Sequence, residues 1–318
     1  LPFCIGRFLN NWNPKILIIL ETEIWPNLIS CCKERGISTV LVNARLSKKS
    51  RDKYLPFVSL ISPAISNIDL ILAQFESDKQ RFISLSDDIN IALCGNLKFD
   101  QNIAEEMNSI VESIRSEWSI EGKQRPTLIA ASTHDTEETA IIAAFKIILS
   151  SFPTALLILV PRHLERFKKV HSILRGSGLT FAQRSKKEDI TPKINILFGD
   201  TMGELNFLYS ISDAAFVGGS LIDHGGQNLL EPASLGLPLI SGPSLRNFQE
   251  IADQLQSVNA LNIVNQSSEI ASIFIKYIEN EKERASASRS AKEIFLKNRG
   301  ALQTIEEKLQ PFLRNISR

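Results

Sequence analysis

Apolar residues in this chain fall in short, nearly unbroken runs separated by longer amphipathic stretches. The first run, Lys15–Leu20 (KILIIL), is all apolar after its lysine, the pattern of a parallel strand covered on both faces. Similar runs predict strands at Thr39–Val42, Leu70–Ala73 and Ile91–Cys94. The segments between them are amphipathic, so strands and helices alternate and an open α/β sheet is expected. Asn102–Trp118 reads as an amphipathic helix, and the polar turn Glu121-Gly122-Lys123-Gln124-Arg125-Pro126 as a domain boundary. A second α/β series follows, with strands predicted at Thr127–Ala131, Ala155–Val160, Ile194–Phe198, Ala214–Val217, Pro238–Ile240 and Leu261–Val264. From about Ser267 the chain reads as helical and charge-mixed, broken near Gly300, with a last helix ending near Pro311–Ile316. A buried strand so close to Leu1 calls for neighbours on both sides, so the first domain is expected to be N-terminally incomplete.

With 318 residues there is room for two domains, each with its own core. A formal net charge of +1 gives no whole-chain field for nucleic acid, and no nucleic-acid partner is expected. Cys4, Cys31, Cys32 and Cys94 lack paired metal-ligand spacing, and the four histidines are scattered, so reduced thiols and no metal or cofactor are expected. No apolar run reaches the length of a membrane span. The chain begins at Leu1 rather than methionine, which suggests sequence upstream.

The candidate chemistry is densest from Phe198 to Pro243. Two glycine-containing turns, Thr201-Met202-Gly203-Glu204 and His224-Gly225-Gly226-Gln227-Asn228, each follow an apolar strand and precede a helix. Backbone amides at such turns favour anions, and glycine admits a close phosphate. Asn228 and Glu231 stand one helical turn apart, so both can face one ligand, with the carboxylate suited to a ribose diol. Gly218-Gly219-Ser220, just before, fits either nucleotide binding or tight strand–helix packing.

Other strand ends carry weaker signals. Glu21-Thr22-Glu23 follows the first strand, where carboxylates can face a ligand crevice or simply favour a helix start. Arg45, after the second strand, can hold a phosphate or carboxylate, or can be a solvated loop residue. Lys98, after the fourth, can face a cleft or the surface. Ser132 and Thr133 are candidate helix caps or anion donors. Arg162 can neutralise phosphate or stack on a base, and His163 is an acid/base candidate without a visible partner.

In order and spacing, ETEIWPNLI, VNARLS, GNLKFD, ASTHDTEE, VPRH, GDTMGELNFLYSISDAAFVGGSL and HGGQNLLEPASLGLPLI resemble the 3-deoxy-D-manno-octulosonic acid (Kdo) transferases of lipid A biosynthesis, glycosyltransferase family 30. The resemblance implies a GT-B fold, two Rossmann-like domains facing a cleft. They would comprise a partial acceptor-side domain at 1–120 and a donor domain at 121–298, with a helix at 299–318 returning to the first. It implies inverting, metal-independent transfer of Kdo from CMP-Kdo to the lipid A precursor (lipid IVA), with release of CMP. By resemblance, Pro161 and Arg162 would flank the cytidine. Met202, Gly203 and Glu204 would lie along the nucleotide, with backbone amides available to it. Gly226, Asn228 and the helix start would hold the phosphate, and Glu231 the ribose hydroxyls. Glu21, Glu23, Arg45 and Lys98 would shape the acceptor side.

Members of that family carry an upstream glycine-rich loop with the proposed general base, and an anchoring helix. Neither is found in this sequence, so Glu23 and Arg162 are its own catalytic candidates and nucleotide binding is expected to outlast transfer. The acceptor implies the cytoplasmic face of a bacterial inner membrane and peripheral membrane contact. The apolar and basic residues near Leu1–Trp12 and Arg51–Phe57 either touch that surface or pack and solvate normally. Two other readings stand beside transfer of Kdo: a UDP-sugar transferase or nucleotide-sugar epimerase of the same fold, and a catalytically inactive nucleotide-binding protein.

Overall fold

The structure, a computed structural model, describes residues 2–100 and 108–314. The start of the helix expected at Asn102–Trp118 and the end of the last helix, 315–318, lie outside the described residues. The chain divides into two units, Leu1–Gln101 with Asn298–Arg318, and Asn102–Lys297.

The first unit is built on four parallel strands, β1 (Ile16–Leu20), β2 (Ser38–Ala44), β3 (Leu70–Ala73) and β4 (Ile91–Leu93), paired in that order. Alternate side chains of a strand point to opposite faces, and both faces of β2 and β3 are buried. Leu41 and Ile71 join Ile19, Ile29, Ile65 and Phe82 on one side. Val40, Val42, Leu70 and Leu72 pack on the other with Cys94 and Ile305. The helix Ala301–Arg314 supplies that second cover through Ile305, Leu309 and Phe312. Asp100 holds its start, accepting from the amides of Gly300 and Leu302, each at 2.6 Å.

β1 departs from the expectation of cover on both faces. Among the described residues it pairs only with β2, and Ile18 and Leu20 on one face are 44% and 55% exposed. The apolar stripe of the last helix reaches Ile16 but stops short of these two. The four cysteines are unpaired, and burial pushes the Cys94 thiol up to about 11.

The second unit carries seven parallel strands: β5 (Thr127–Thr133), β6 (Leu156–Pro161), β7 (Phe181–Gln183), β8 (Ile196–Phe198), β9 (Ala214–Val217), β10 (Leu239–Ser241) and β11 (Leu261–Ile263). Their order is β11-β10-β9-β5-β6-β8-β7, so chain direction across the sheet reverses between β5 and β9. Such a reversal opens a crevice at the carboxyl ends of the strands. β7 escaped the sequence reading because it is three residues long, lies at the sheet edge and has no apolar run of its own.

The division at 101/102 falls ahead of the turn expected as a boundary, because that turn is woven into the second unit. Arg125 is buried, and its guanidinium donates to the carbonyls of Thr154, Ala155, Thr191 and Ile194. The helix Asn108–Glu117 also packs there, through Val111 and Ile114, and Arg115 pairs with Asp213 at 2.7 Å.

Candidate functional site

Backbones approach one another closely where β5, β9 and β10 end. A Cβ on Gly218 would lie 2.5 Å from the Ser132 carbonyl oxygen, and one on Gly242 would lie 2.3 Å from that of Ser220. Only glycine fits at either place. Ser132 itself has φ of +54°, a left-handed conformation that costs energy for a side-chain-bearing residue and often marks functional sites.

A buried carboxylate joins these loops. Glu137, 1% exposed, accepts from the amides of His134 (2.9 Å) and Gly219 (2.7 Å) on one oxygen, and of Ser220 and Leu221 (3.0 Å each) on the other. This bridges β5 and β9 across the point where the strand order reverses. Beside it, buried Glu138 accepts from Arg166 at 2.8 and 3.1 Å and from the Thr133 hydroxyl. Neither Ser132 nor Thr133 caps the following helix. The helix's own first-turn acids tie down the loop instead.

The residues expected to bind a nucleotide gather at this same carboxyl edge. Pro161 ends β6 and is buried, while Arg162 and His163 are exposed, with the Arg162 amide on the Thr133 carbonyl at 3.0 Å. Met202 is 61% exposed, and Gly203 has φ of +83°. Glu204 is held by the Arg184 guanidinium at 2.8 and 3.2 Å and by the Thr201 hydroxyl, which keeps its carboxyl below the usual range. The Asn228 amide nitrogen donates to Glu231 at 2.9 Å, and its oxygen accepts from the Leu230 amide at 3.0 Å. Burial pushes the nearby Tyr209 phenol well up, and the Glu231 charge adds to the effect.

The expected source of phosphate binding changes in two respects. The helices after the two turns, Leu205–Ser210 and Leu230–Ser234, have six and five residues, so neither builds an extended dipole. Most amides of the glycine loop are also already in use. Those of Gly219, Ser220 and Leu221 serve Glu137, and that of Gly218 serves the Ala131 carbonyl. His224, Gly225, Gly226, Gln227 and Leu230 each donate elsewhere within the chain.

Sequence reasoning passed over Glu137 and the meeting of His134, His163 and His224. An acid in a helix's first turn looks like a dipole partner, and histidines spread over 90 positions show no spacing that signals contact.

In the first unit, the strand ends hold a hollow of about 270 Å³ lined by Leu20, Glu21, Asn43, Leu97 and Lys98. Glu21 and Asn43 both adopt left-handed backbone, with φ of +58° and +54°. The Asn43 side chain accepts from the Leu97 amide at 3.2 Å, and its carbonyl from Gln74 at 2.9 Å. Of the four acceptor-side candidates, Glu21 and Lys98 share this hollow, whereas Glu23 and Arg45 are absent from its lining. Glu23 accepts from the Trp25 indole at 2.7 Å. Arg45 places its charge near the buried Asp78. Glu23 does not cap the next helix, which starts with Pro26 and has no side-chain cap.

Among the described residues no group of histidines, cysteines and carboxylates has metal-holding geometry, and no helix is long and apolar enough to cross a membrane.

Two parallel α/β units, the second with its strand order reversed between β5 and β9, have the architecture of a glycosyltransferase of the GT-B fold. Residues 141–294 match the family model for glycosyl transferases group 1. UDP-GlcNAc 2-epimerase from Neisseria meningitidis, solved with UDP-GlcNAc, is similar in fold alone: 15% identity, TM-score 0.60, 96% of this chain and 80% of that one.

The particular family follows from the first unit and from near-full-length likeness. Residues 1–101 match the model for 3-deoxy-D-manno-octulosonic-acid transferase (kdotransferase). The 3-deoxy-D-manno-octulosonic acid transferase of Haemophilus influenzae is 39% identical over 99% of this chain and 74% of its own length. The chain belongs to the Kdo transferase family. It spans 48%, 61% and 58% of three further relatives. The solved C-terminal CMP-Kdo binding domain of WaaA from Acinetobacter baumannii is 31% identical, with a TM-score of 0.56, covering 60% of this chain and 98% of that domain.

Proposed function

We propose that this chain binds CMP-Kdo through its second unit and serves transfer of Kdo to the lipid A precursor, with inversion and without a metal. The observation that carries the reading is the likeness to the CMP-Kdo binding domain of WaaA over 98% of that domain. In this reading Pro161 and Arg162 flank the cytidine, and Met202, Gly203 and Glu204 line the nucleotide. Gly226 shapes the loop, and Asn228 orients Glu231 toward the ribose hydroxyls through the bond they share.

The acceptor oxygen attacks the anomeric carbon as the bond from that carbon to the CMP phosphate breaks. The hydroxyl proton passes to a base, because a sugar hydroxyl is a poor nucleophile until deprotonated. Arg162 stabilises the charge developing on CMP. Glu21 and Lys98 contact the acceptor in their hollow, and Glu23 and Arg45 lie outside its lining.

The acceptor is a lipid, so we place the chain peripherally on the cytoplasmic face of the inner membrane. Phe57 and Leu60, each 62% exposed, sit just after exposed Lys48, Lys49 and Lys53, a combination suited to an anionic surface. Vesicle co-sedimentation that is unaffected by a Phe57→Glu/Leu60→Glu double substitution would remove this surface from the proposal.

Calorimetry with CMP, UMP and UDP tests the donor assignment. Selective CMP binding is expected, and a uridine preference would move the chain to a UDP-sugar activity. Glu231→Ala should weaken CMP binding about 10- to 100-fold, the value of one or two hydrogen bonds to a charged group. Unchanged affinity would contradict the ribose role.

A further inference from the structure

Three of the four histidines converge where the strand order of the second unit reverses. His134 follows β5, His163 follows β6, and His224 lies in the loop after β9. The ring of His134 stands 5.4 Å from that of His163, edge-on, and 4.2 Å from that of His224, tilted by 35°. His134 is 7% exposed and shares a 3.0 Å contact between its Nε2 and the Gln227 side-chain nitrogen. His163 and His224 are exposed. The cluster thus has a buried foot and two outward rings, with Arg162 adjacent in sequence.

The charged groups around it are mostly paired with one another. Beneath it Glu137 is taken up by four amides. Glu138 is held by Arg166, and Asp135 by Arg166 and Lys169. Asp223, beside His224, pairs with Arg246. Glu165, near His163, is exposed. Burial first, then His224, pushes the His134 imidazole down, with Glu137 opposing and His163 and Arg166 adding.

The bonds already made at this edge narrow what can hold a phosphate here. Most amides of the glycine loop are committed within the chain, and Glu137 fills the anion nest at the switch point. A phosphate laid against this edge therefore depends chiefly on side-chain donors. An imidazole becomes a two-fold donor by gaining one proton, and it does so near neutral pH.

We propose that His163 and His224 bind the phosphate of the nucleotide and gain a proton as they do so, while buried His134 is a positioning residue that holds both rings. This rests on the reading that the second unit binds CMP. The ligand chemistry is a phosphate monoester dianion, and the proton comes from solvent.

The test is a pH titration of the histidine ring protons by NMR, alone and with CMP, each signal assigned by substitution. His171, packed edge-on against Phe181, is the internal control. With CMP, the titration midpoints of His163 and His224 should rise by about one pH unit, the usual effect of a close opposite charge. His171 should not move, and cytidine, which lacks the phosphate, should move none of them. His163→Asn and His224→Asn should each weaken CMP binding about 3- to 10-fold, with cytidine binding unchanged and ring signals of the remaining histidines reporting an intact fold.

Midpoints unchanged by CMP that binds, or moved equally by cytidine, overturn the inference and leave the donor assignment standing. If CMP does not bind, the donor assignment falls, and inorganic phosphate becomes the probe. The same rise with phosphate then supports the imidazole site, and no rise overturns it.

Discussion

The strand ends of the two units are built on different plans. In the second, a buried carboxylate, two close backbone approaches and a loop whose amides are largely committed make a tightly bonded edge. In the first, Glu21 and Lys98 line an open hollow, supported mainly by the hydrogen bonds of Asn43. An edge that has satisfied most of its own backbone offers a ligand chiefly side chains. An open edge can adapt to a bulky partner but contributes less order before binding.

Glu137→Ala is the strongest way to break this contrast. It leaves four amides, three of them buried, without their acceptor and should cost about 3–5 kcal/mol in the second unit. Denaturant unfolding, followed by Trp118 in a chain with Trp12 and Trp25 replaced by phenylalanine, reads that unit. A loss below about 1 kcal/mol would mean the loops hold without the carboxylate.

Gly218→Ala should follow at about 3 kcal/mol, because its methyl would enter the Ser132 backbone and overpacking of this kind is not easily relaxed. The same unfolding curve checks it. The corresponding pin of the first unit is Asp100. Asp100→Ala should cost about 1–2 kcal/mol, the value of a helix cap, and should expose the helix Ala301–Arg314 to limited proteolysis first. Unaltered cleavage there would deny Asp100 that role.

Acid separates the units more gently. His134 is pushed down in the folded state, so the unfolded chain binds more protons below its ordinary range. The second unit therefore loses stability as pH falls through about 6.5. Asp78 in the first unit is pushed up, chiefly by burial, so its contribution runs the other way. It favours the folded state most below about pH 3.9 and fades as pH rises through its folded value. Melting between pH 7.5 and 5.5 should weaken the second unit more than the first, and His134→Gln should flatten that difference.

Most of the alternation was legible because parallel strands covered on both faces leave unbroken apolar runs, as at Leu156–Val160 and Ala214–Val217. β7 left no such run. The unit boundary was hidden because Arg125, charged and beside a proline, looks like a surface residue until its four carbonyl partners are seen. At the site, Asn228 and Glu231, expected from their spacing to face one ligand, do meet through a side-chain bond, although Asn228 lies ahead of the helix Leu230–Ser234 rather than in it. Glu137 was not legible, since its role depends on amides 82 to 84 positions away. The separation of Glu23 from the Glu21–Lys98 hollow was equally invisible, because side chains two apart diverge once Glu21 takes a left-handed turn.

The capping of residues 300 and 302 by Asp100 also has a consequence in time. A ribosome delivers β1 to β4 long before the helix that covers Val40, Val42, Leu70 and Leu72. That apolar face stays uncovered while the whole second unit is synthesised, about 10–40 s at ordinary elongation rates of roughly 5–20 residues per second. The second unit is complete in sequence before the first can close, so the order of folding runs against the order of synthesis, and the uncovered face is where a chaperone would be needed.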